Sequence, residues 1–216
     1  MRRVIGNLFS LLLLWNTTTA LSDHHEDPWK DLFDGKSLEG WIQRNGWATF
    51  KVDEGTILGI TAQGSPNSFL TTKRNYRDFT LTFDVKVDEA LNSGVQIRSK
   101  STEAFKNGRV HGPQVEIASN GNAGYVFNEG LGGWLHHQKN DPKVKSAFHH
   151  GEWNTYKIRV KGSHIQTWIN ETRIADFQET QTGFEEGFIG LQVHGIGKRK
   201  GPFEVRWRNI KIREDH

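Results

Sequence analysis

The ten residues DFTLTFDVKV (residues 78–87) decide the fold class. Every second side chain in this stretch is apolar, and the side chains between them are polar or charged. A β-strand sends successive side chains to opposite faces, so the alternation predicts a strand with one face on a core. The apolar set is Phe79, Leu81, Phe83, Val85 and Val87.

The same period of two recurs along the chain, whereas helical periodicity is scarce. NTYKIRVKG (154–162) repeats it, and SHIQTWIN (163–170) followed by ETRIADF (171–177) predicts a hairpin with a tight turn. Further short strands fit TILGI, SFLTT, GVQIRS, GYVF, GFIGLQVH and FEVRWRNIKI, the last with a β-bulge at Arg208–Asn209. About a dozen strands separated by Gly, Asn and Asp predict an all-β antiparallel sandwich or jelly roll. Residues 101–112 and 130–151 are expected to be loops.

The first twenty residues, MRRVIGNLFSLLLLWNTTTA, have the pattern of a secretory signal peptide. A basic start precedes an apolar run that is too short to span a membrane, and small residues end it at Ala20. We expect cleavage near Ala20, a flexible mature N-terminus over 21–30, one domain over 31–214, and a periplasmic or secreted protein. The chain has no cysteine, so neither a disulfide framework nor a lipid-anchor cysteine is expected.

The charge balance disfavours nucleic acid as a partner. The formal charge of +3 includes Arg2 and Arg3, so 28 − 2 basic residues against 25 acidic ones leave +1 after cleavage. A nearly neutral domain offers no general attraction to phosphates. The basic cluster GKRKG (197–201) is interpreted as a solvated loop, and no membrane span is expected in the mature chain.

Parity along three strands places amides and titratable groups on the face away from the core. Each strand offers a glutamine followed two residues later by a charged or titratable side chain: Gln96 and Arg98, Gln114 and Glu116, Gln192 and His194. Such a face is either merely solvated or the floor of a cleft. Amides with glycines beside them suit a hydroxyl-rich ligand, which favours the cleft.

Five further features are functional candidates, and four of them also have a bland interpretation. Asn92 begins a strand, where turn capping is its default role, and Lys73 either lines the rim or is solvated. Trp134 stacks on a sugar ring or anchors its loop, and Glu129 reaches the site from a loop. Three histidine doublets resemble metal ligands, although solvation is the simpler interpretation: His24–His25, His136–His137 and His149–His150.

The ordered motifs resemble the DUF1080 family, also called the 3-keto-disaccharide hydrolase domain. They are FDGKSLEGWIQRNG, FLTTKRNYRDFTLTFDVKV, NSGVQIRS, GPQVEIA, GEWNTYKIRVKG, TWINETRIADF, GFIGLQVHG and VRWRNIKIRE, which together extend over about residues 31–214. The resemblance implies a concanavalin-like jelly-roll sandwich of two curved antiparallel sheets, and action on glycosides whose C3 hydroxyl is oxidised to a ketone. Val193 and the segment IASNGN (117–122) depart from the family pattern, in which aspartates are common at these places.

The residues around Glu116 disfavour ordinary retaining glycoside hydrolysis. That reaction needs two carboxylates about 5 Å apart, usually on one strand. Glu116 has no acid at the matching offsets, since Gln114, Ser119 and Asn120 are neutral.

A 3-keto sugar needs less, because its ketone acidifies the C2 proton. Glu116 and His194 then supply base and acid in either order, while Arg98 holds Glu116 ionised or steadies the enolate. Alternatively, Glu116 and His194 hold a divalent metal ion that polarises the ketone. The expected partner is a small oxidised disaccharide or glycoside. A lectin-like carbohydrate-binding module on the same fold is the rival hypothesis, and a structural adhesin comes third.

Overall fold

The computed structural model describes residues 28–215, which form two antiparallel β-sheets packed face to face. The expected signal peptide, most of the expected N-terminal segment and the pair His24–His25 lie outside the described residues. Within residues 28–215 there are fifteen strands and one helix. The elements are β1 (Lys30–Asp31), β2 (Trp41–Arg44), β3 (Thr49–Asp53), β4 (Thr56–Ile60), β5 (Ser68–Thr72), β6 (Phe79–Val87), β7 (Ser93–Ser99), β8 (Gly112–Ile117), β9 (Val126–Glu129), β10 (Trp134–His136), α1 (Pro142–Ala147), β11 (Asn154–Lys161), β12 (His164–Ile169), β13 (Thr172–Gln178), β14 (Phe188–Val193) and β15 (Glu204–Glu214).

The two sheets divide the strands as a jelly-roll sandwich does, so the predicted fold class is confirmed. The back sheet has the order β13-β12-β11-β6-β15-β4-β3, with β1 paired to β15. The front sheet has the order β10-β9-β8-β7-β14-β5-β2. The strand that decided the fold, β6, lies inside the back sheet between β11 and β15, and its five alternating apolar side chains are buried in the core between the sheets.

The three central strands of the front sheet are buried on both faces. Every residue of β7, β8 and β14 is buried. One face carries core residues such as Val95, Val115 and Leu191, as the alternation predicts. The opposite face is covered as well, so the interpretation of that face as merely solvated is wrong.

The loop over residues 101–111 provides part of this cover. Val110 packs with Phe69 and Phe188 in a separate apolar cluster. The Asn45 side chain fixes the loop from the neighbouring edge, because its Nδ2 donates to the Gly108 carbonyl at 3.1 Å and its Oδ1 accepts from the Val110 amide at 2.7 Å. The loop therefore lies across the front sheet instead of extending into solvent.

Two local features of the strands agree with the predictions from the sequence, and one predicted loop does not. The β12–β13 hairpin turns at Asn170 and Glu171, both with positive φ, and β15 shifts register after Arg208, as predicted. The segment 130–151, expected to be a loop, instead contains β10 and α1. The Asp141 side chain caps α1, and Pro142 begins it, which are ordinary helix-start signals.

Arg98 does not share the face of Gln96, so its predicted position is wrong. The residue has a φ of 49°, and the pairing of β7 with β14 shifts register beside it. This bulge inserts one extra residue, and Ser99 returns to the Gln96 face, where its hydroxyl donates to Gln96 Oε1 at 2.7 Å.

The Arg98 side chain points away from the front sheet's outer face and links the two sheets. Its Nε donates to the Arg77 carbonyl, Nη1 donates to the Gly162 carbonyl at 2.5 Å, and Nη2 pairs with the Asp78 carboxylate at 2.6 Å. The guanidinium is buried, and burial lowers its pKa, opposed by Asp78. Arg98 thus ties the end of β7 to β6 and to the β11–β12 turn.

No helix in this described part of the chain is long and apolar enough to cross a membrane.

We expect Arg98→Ala to lower the free energy of unfolding by about 2 kcal/mol, because it strips a partly buried carboxylate and two carbonyls of their partner. Arg77→Ala is the matched control. It removes an exposed ion pair with Glu185 but leaves the Arg77 carbonyl in place, so it should change stability by less than about 0.5 kcal/mol. Urea unfolding of both variants measures this, and equal losses would contradict the assignment.

Candidate functional site

A continuous chain of side-chain hydrogen bonds runs across the outer face of the front sheet and ends on Glu116. Gln96 Nε2 donates to Gln114 Oε1 at 2.5 Å, and Gln192 Nε2 donates to the same oxygen at 2.8 Å. Gln114 Nε2 then donates to Glu116 Oε1 at 2.6 Å. The parity prediction that brought these four side chains together is confirmed in its geometry.

Hydrogen-bond direction fixes how each amide is oriented. The Ser99 hydroxyl donates to Gln96 Oε1, so the Gln96 NH₂ group faces Gln114. Gln114 Oε1 accepts from two amides, and its own NH₂ group must therefore face Glu116. The Glu116 carboxylate therefore accepts from a Gln114 NH₂ group whose orientation is fixed by Gln96 and Gln192.

Glycine makes room for this arrangement. Gly94 lies opposite Glu116 on one side and opposite Gln192 on the other. A Cβ at Gly94 would fall 2.6 Å from Gln114 Cδ, so any larger residue would displace the Gln114 side chain. Gly94 therefore makes room for the amide chain itself, whereas the sequence suggested that glycines here leave room for a ligand.

The three glutamines are too buried to be primary ligand contacts. Gln96 and Gln192 are 0% exposed and Gln114 is 2% exposed. Their direct role in the structure is to hold Glu116. Gln192 Oε1 is nevertheless a buried acceptor that no group in residues 28–215 satisfies.

Glu116 is a carboxyl group whose surroundings favour its protonated form. Burial raises its pKa, the amide donors of Gln114 and Asn92 oppose that rise, and the negative charge of Glu129 adds to it. Asn92 Nδ2 donates to Glu116 Oε2 at 3.1 Å, so Asn92 contacts the carboxylate as well as standing at the start of β7. A carboxyl with a raised pKa is suited to act as a base near neutral pH.

His194 lies beyond the end of β14. It lines a cleft of about 270 Å³ together with Asn92, Asn120 and Arg199. His194 Nδ1 is 2.7 Å from the Gly195 carbonyl, which can only accept, so Nδ1 carries a proton and Nε2 is the nitrogen left to exchange one. Asn92 therefore lines the cleft of His194 and also donates to Glu116.

A larger cleft of about 570 Å³ adjoins the same turn. Its lining includes Asn67, Lys106, Arg109, Glu129 and Gly195. Glu129 ends β9 instead of lying in a loop. It is buried, and its Oε1 is 3.5 Å from both Arg109 Nη2 and Asn67 Nδ2. Clefts of this size hold drug-sized ligands in other proteins.

Two of these cleft residues, Asn67 and Arg109, were missed by reasoning from the sequence. Asn67 Oδ1 accepts from the Gly195 amide at 2.9 Å, and this ties the turn before β5 to the turn after β14. Arg109 stands in the loop that crosses the sheet. Alternation gives no information in loops, and an Asn before a strand looks like any turn residue.

Lys73 and Trp134 do not contact the site. Lys73 is exposed beyond the end of β5, and its backbone amide bonds the Gly40 carbonyl. Trp134 stacks on His137 with ring centroids 4.3 Å apart and meets the edge of Phe127 at 5.3 Å. The anchoring interpretation of Trp134 fits these contacts, because one indole face is already covered.

The described residues gather no metal cluster. Within residues 28–215 no group of three or more His, Asp or Glu side chains converges in a way that could hold a metal ion. His136 stacks on Phe177 and His137 bonds Asn122. A divalent ion at this site would therefore rest on Glu116 and His194 alone.

Comparison with protein families gives one match over nearly the whole described chain. The model of the family described as the 3-keto-alpha-glucoside-1,2-lyase-like domain matches residues 28–213. A comparison with curated protein sequences finds no match.

Several solved structures share the fold. One, from Parabacteroides distasonis and provisionally described as a glycosyl hydrolase, is 20% identical, with a TM-score of 0.63 over 87% of this chain and 94% of the other. The carbohydrate-binding module CBM66 from Bacillus subtilis is 17% identical, with a TM-score of 0.59 over 81% and 96%. A Bacillus subtilis protein with a galectin-like fold is 10% identical, with a TM-score of 0.54 over 82% and 90%. At these identities the likeness is one of fold.

We expect Glu116→Gln to change how stability depends on pH. Because the folded protein raises the Glu116 pKa, it binds this proton more tightly than the unfolded chain does, and stability is lost as pH rises through the raised pKa. The variant has no such proton, so its free energy of unfolding relative to the native chain should increase as the pH rises from the range of an ordinary carboxyl group through the raised pKa of Glu116.

Urea unfolding across that range measures the difference. Glu39→Gln, at an exposed carboxylate, is the control and should show a smaller change of this difference with pH than Glu116→Gln does. A flat difference for Glu116→Gln would refute the raised pKa.

Proposed function

The chain belongs to the 3-keto-alpha-glucoside-1,2-lyase-like family, and we propose that it cleaves glycosides whose C3 hydroxyl has been oxidised to a ketone. At the coarser level it is a glycosyl hydrolase-like or carbohydrate-binding sandwich domain. The observation that carries the finer proposal is Glu116, a buried carboxyl group with a raised pKa held between two amide donors.

In the proposed reaction Glu116 removes the C2 proton. The adjacent C3 ketone accepts the electron pair as an enolate, and the enolate re-forms the carbonyl while the C1–O bond breaks. The departing oxygen takes a proton from Nε2 of His194, which enters the reaction as the imidazolium with both ring nitrogens protonated and leaves it neutral with its proton on Nδ1. The products are a 1,2-unsaturated 3-keto sugar and the free alcohol, and addition of water to the double bond gives net hydrolysis. Proton exchange with solvent restores Glu116 and His194.

The proposed division of roles follows from hydrogen bonding. Gln114 and Asn92 donate hydrogen bonds to Glu116, but an amide is neither an acid nor a base near neutral pH. They therefore orient the base without competing for the substrate proton. Arg98 is engaged with Asp78 and takes no part. A cation to steady the enolate is supplied by Lys106 or Arg109, which line the larger cleft.

The likeness of fold to a carbohydrate-binding module supports a second candidate, a domain that binds sugar without cleaving it. Export through the N-terminal signal sequence is part of the proposal in either case, since it places the domain where glycosides are encountered.

We expect the mature protein to release product from 3-keto-glycosides but not from the same glycosides with C3 unoxidised, because only the ketone makes the C2 proton acidic. With the native protein in heavy water, deuterium should appear at C2 of the hydrated product. Glu116→Gln should abolish both cleavage and exchange while the protein remains folded. Efficient cleavage of plain trehalose or cellobiose would overturn the mechanism. Sugar binding without cleavage of any oxidised glycoside would favour the second candidate.

We expect His194→Ala to reduce turnover by about a hundredfold, the usual contribution of a positioned acid. The loss should be smaller with a 3-keto-glycoside whose leaving group is a nitrophenolate, which departs without protonation. The rate ratio between alkyl and nitrophenyl substrates measures this. Equal losses on both substrates would exclude His194 as the leaving-group acid.

A further inference from the structure

The most exposed large apolar side chain among the described residues stands next to the larger cleft. Trp47 is 60% exposed. The residue before it, Gly46, lines the 570 Å³ cleft, as do Ser65 and Pro66 opposite. An exposed indole beside a polar cleft offers a bound ligand both an apolar ring face and an N–H donor.

The backbone around Trp47 is held in place. The Trp47 amide donates to Ser65 Oγ at 2.9 Å, and the next amide, of Ala48, donates to Ser68 Oγ at 3.1 Å. Gly46 has a φ of 49° and lies so close to Ser68 and Pro66 that a Cβ would overlap them. The indole is therefore displayed from a rigid turn, which lowers the entropy cost of binding against it.

The indole of Trp47 lies at the outer edge of the larger cleft. A Cβ built on Gly64 would lie 3.9 Å from Trp47 Cζ2, so the ring rests beside the 62–65 turn. The Gly64 amide donates to the carbonyl of Gly197, which lines the same cleft. The ring thus stands just beyond the cleft, on its rim.

We propose that Trp47 is a stacking platform for a second sugar ring, the one attached through the bond that is cleaved. This deepens the proposed function, on which it rests for the identity of the reacting ring. The apolar face of a pyranose packs on an indole through its C–H groups, and Trp and Tyr suit such partly wet sites because one surface is apolar and one edge is polar. Trp134 is a poorer platform, since His137 covers one of its faces. The protein accordingly selects disaccharides over glycosides of small alcohols.

The proposal is tested by direct binding, which does not require turnover. Calorimetric titration of the mature native chain and of Trp47→Ala uses trehalose, maltose, cellobiose and methyl α-glucoside as probes. For at least one disaccharide the Kd should rise about tenfold in the variant, a typical weight for one aromatic contact. The Kd of methyl α-glucoside should rise less than twofold, and Trp47→Phe should recover part of the disaccharide loss.

Trp29→Ala is the matched control. Trp29 is 44% exposed, and the Arg213 guanidinium lies 5.4 Å from its ring centroid, near the short strand β1 of the back sheet. This variant should bind every probe as the native chain does. Unchanged disaccharide binding in Trp47→Ala, equal weakening for methyl α-glucoside, or no binding of any disaccharide to the native chain would each overturn the platform. Selective weakening together with no cleavage of oxidised sugars would refute the proposed reaction and leave the platform standing.

Discussion

The hydrogen bond from Gln114 to Glu116 is the interaction on which the rest of the site depends. Glu116 is buried, and a buried carboxylate is costly unless donors surround it. Gln114 can donate only because Gln96 and Gln192 both donate to its oxygen and so fix its orientation. This requirement places amides on three adjacent strands, β8, β7 and β14, and glycine at position 94, where a side chain would displace Gln114.

The need to keep Gln114 in one orientation also accounts for the burial of both faces of the front sheet. An amide chain open to water would exchange its partners freely and would not orient a carboxylate. The loop over 101–111 excludes water from part of this face through Val110, and the Asn45 side chain holds the loop there. The loop also supplies Lys106 and Arg109 to the larger cleft. One segment thus shields the amides and forms a wall of the larger cleft.

Strand alternation predicted the fold and the interior of the site, because both obey a period of two. Gln96, Gln114, Glu116 and Gln192 share one face, as their spacing requires. The same rule failed at Arg98, since a bulge with positive φ inserts one residue and turns the side chain toward Asp78. Arginine is an unusual residue at positive φ, and the sequence NSGVQIRS contains no pattern that predicts the bulge. Asn67, Arg109 and Trp47 stand in turns or loops, where position depends on tertiary contacts that no local pattern encodes.

The energetics of Glu116 bear on the choice between catalysis and binding alone. A binding module gains from a carboxylate only when the ligand reaches it, and an exposed ionised carboxylate serves that purpose at little cost. Here the fold removes the carboxyl from water and sets Glu129 near enough to raise its pKa further, and both effects oppose ionisation. The amides of Gln114 and Asn92 orient the Glu116 carboxyl group but cannot take its proton. When this group ionises, it is a stronger base than a free carboxylate. The unfavourable ionisation of Glu116 reduces the stability of the fold at neutral pH. The proposed reaction, in which a base removes a proton from carbon, gives a reason for keeping such a group.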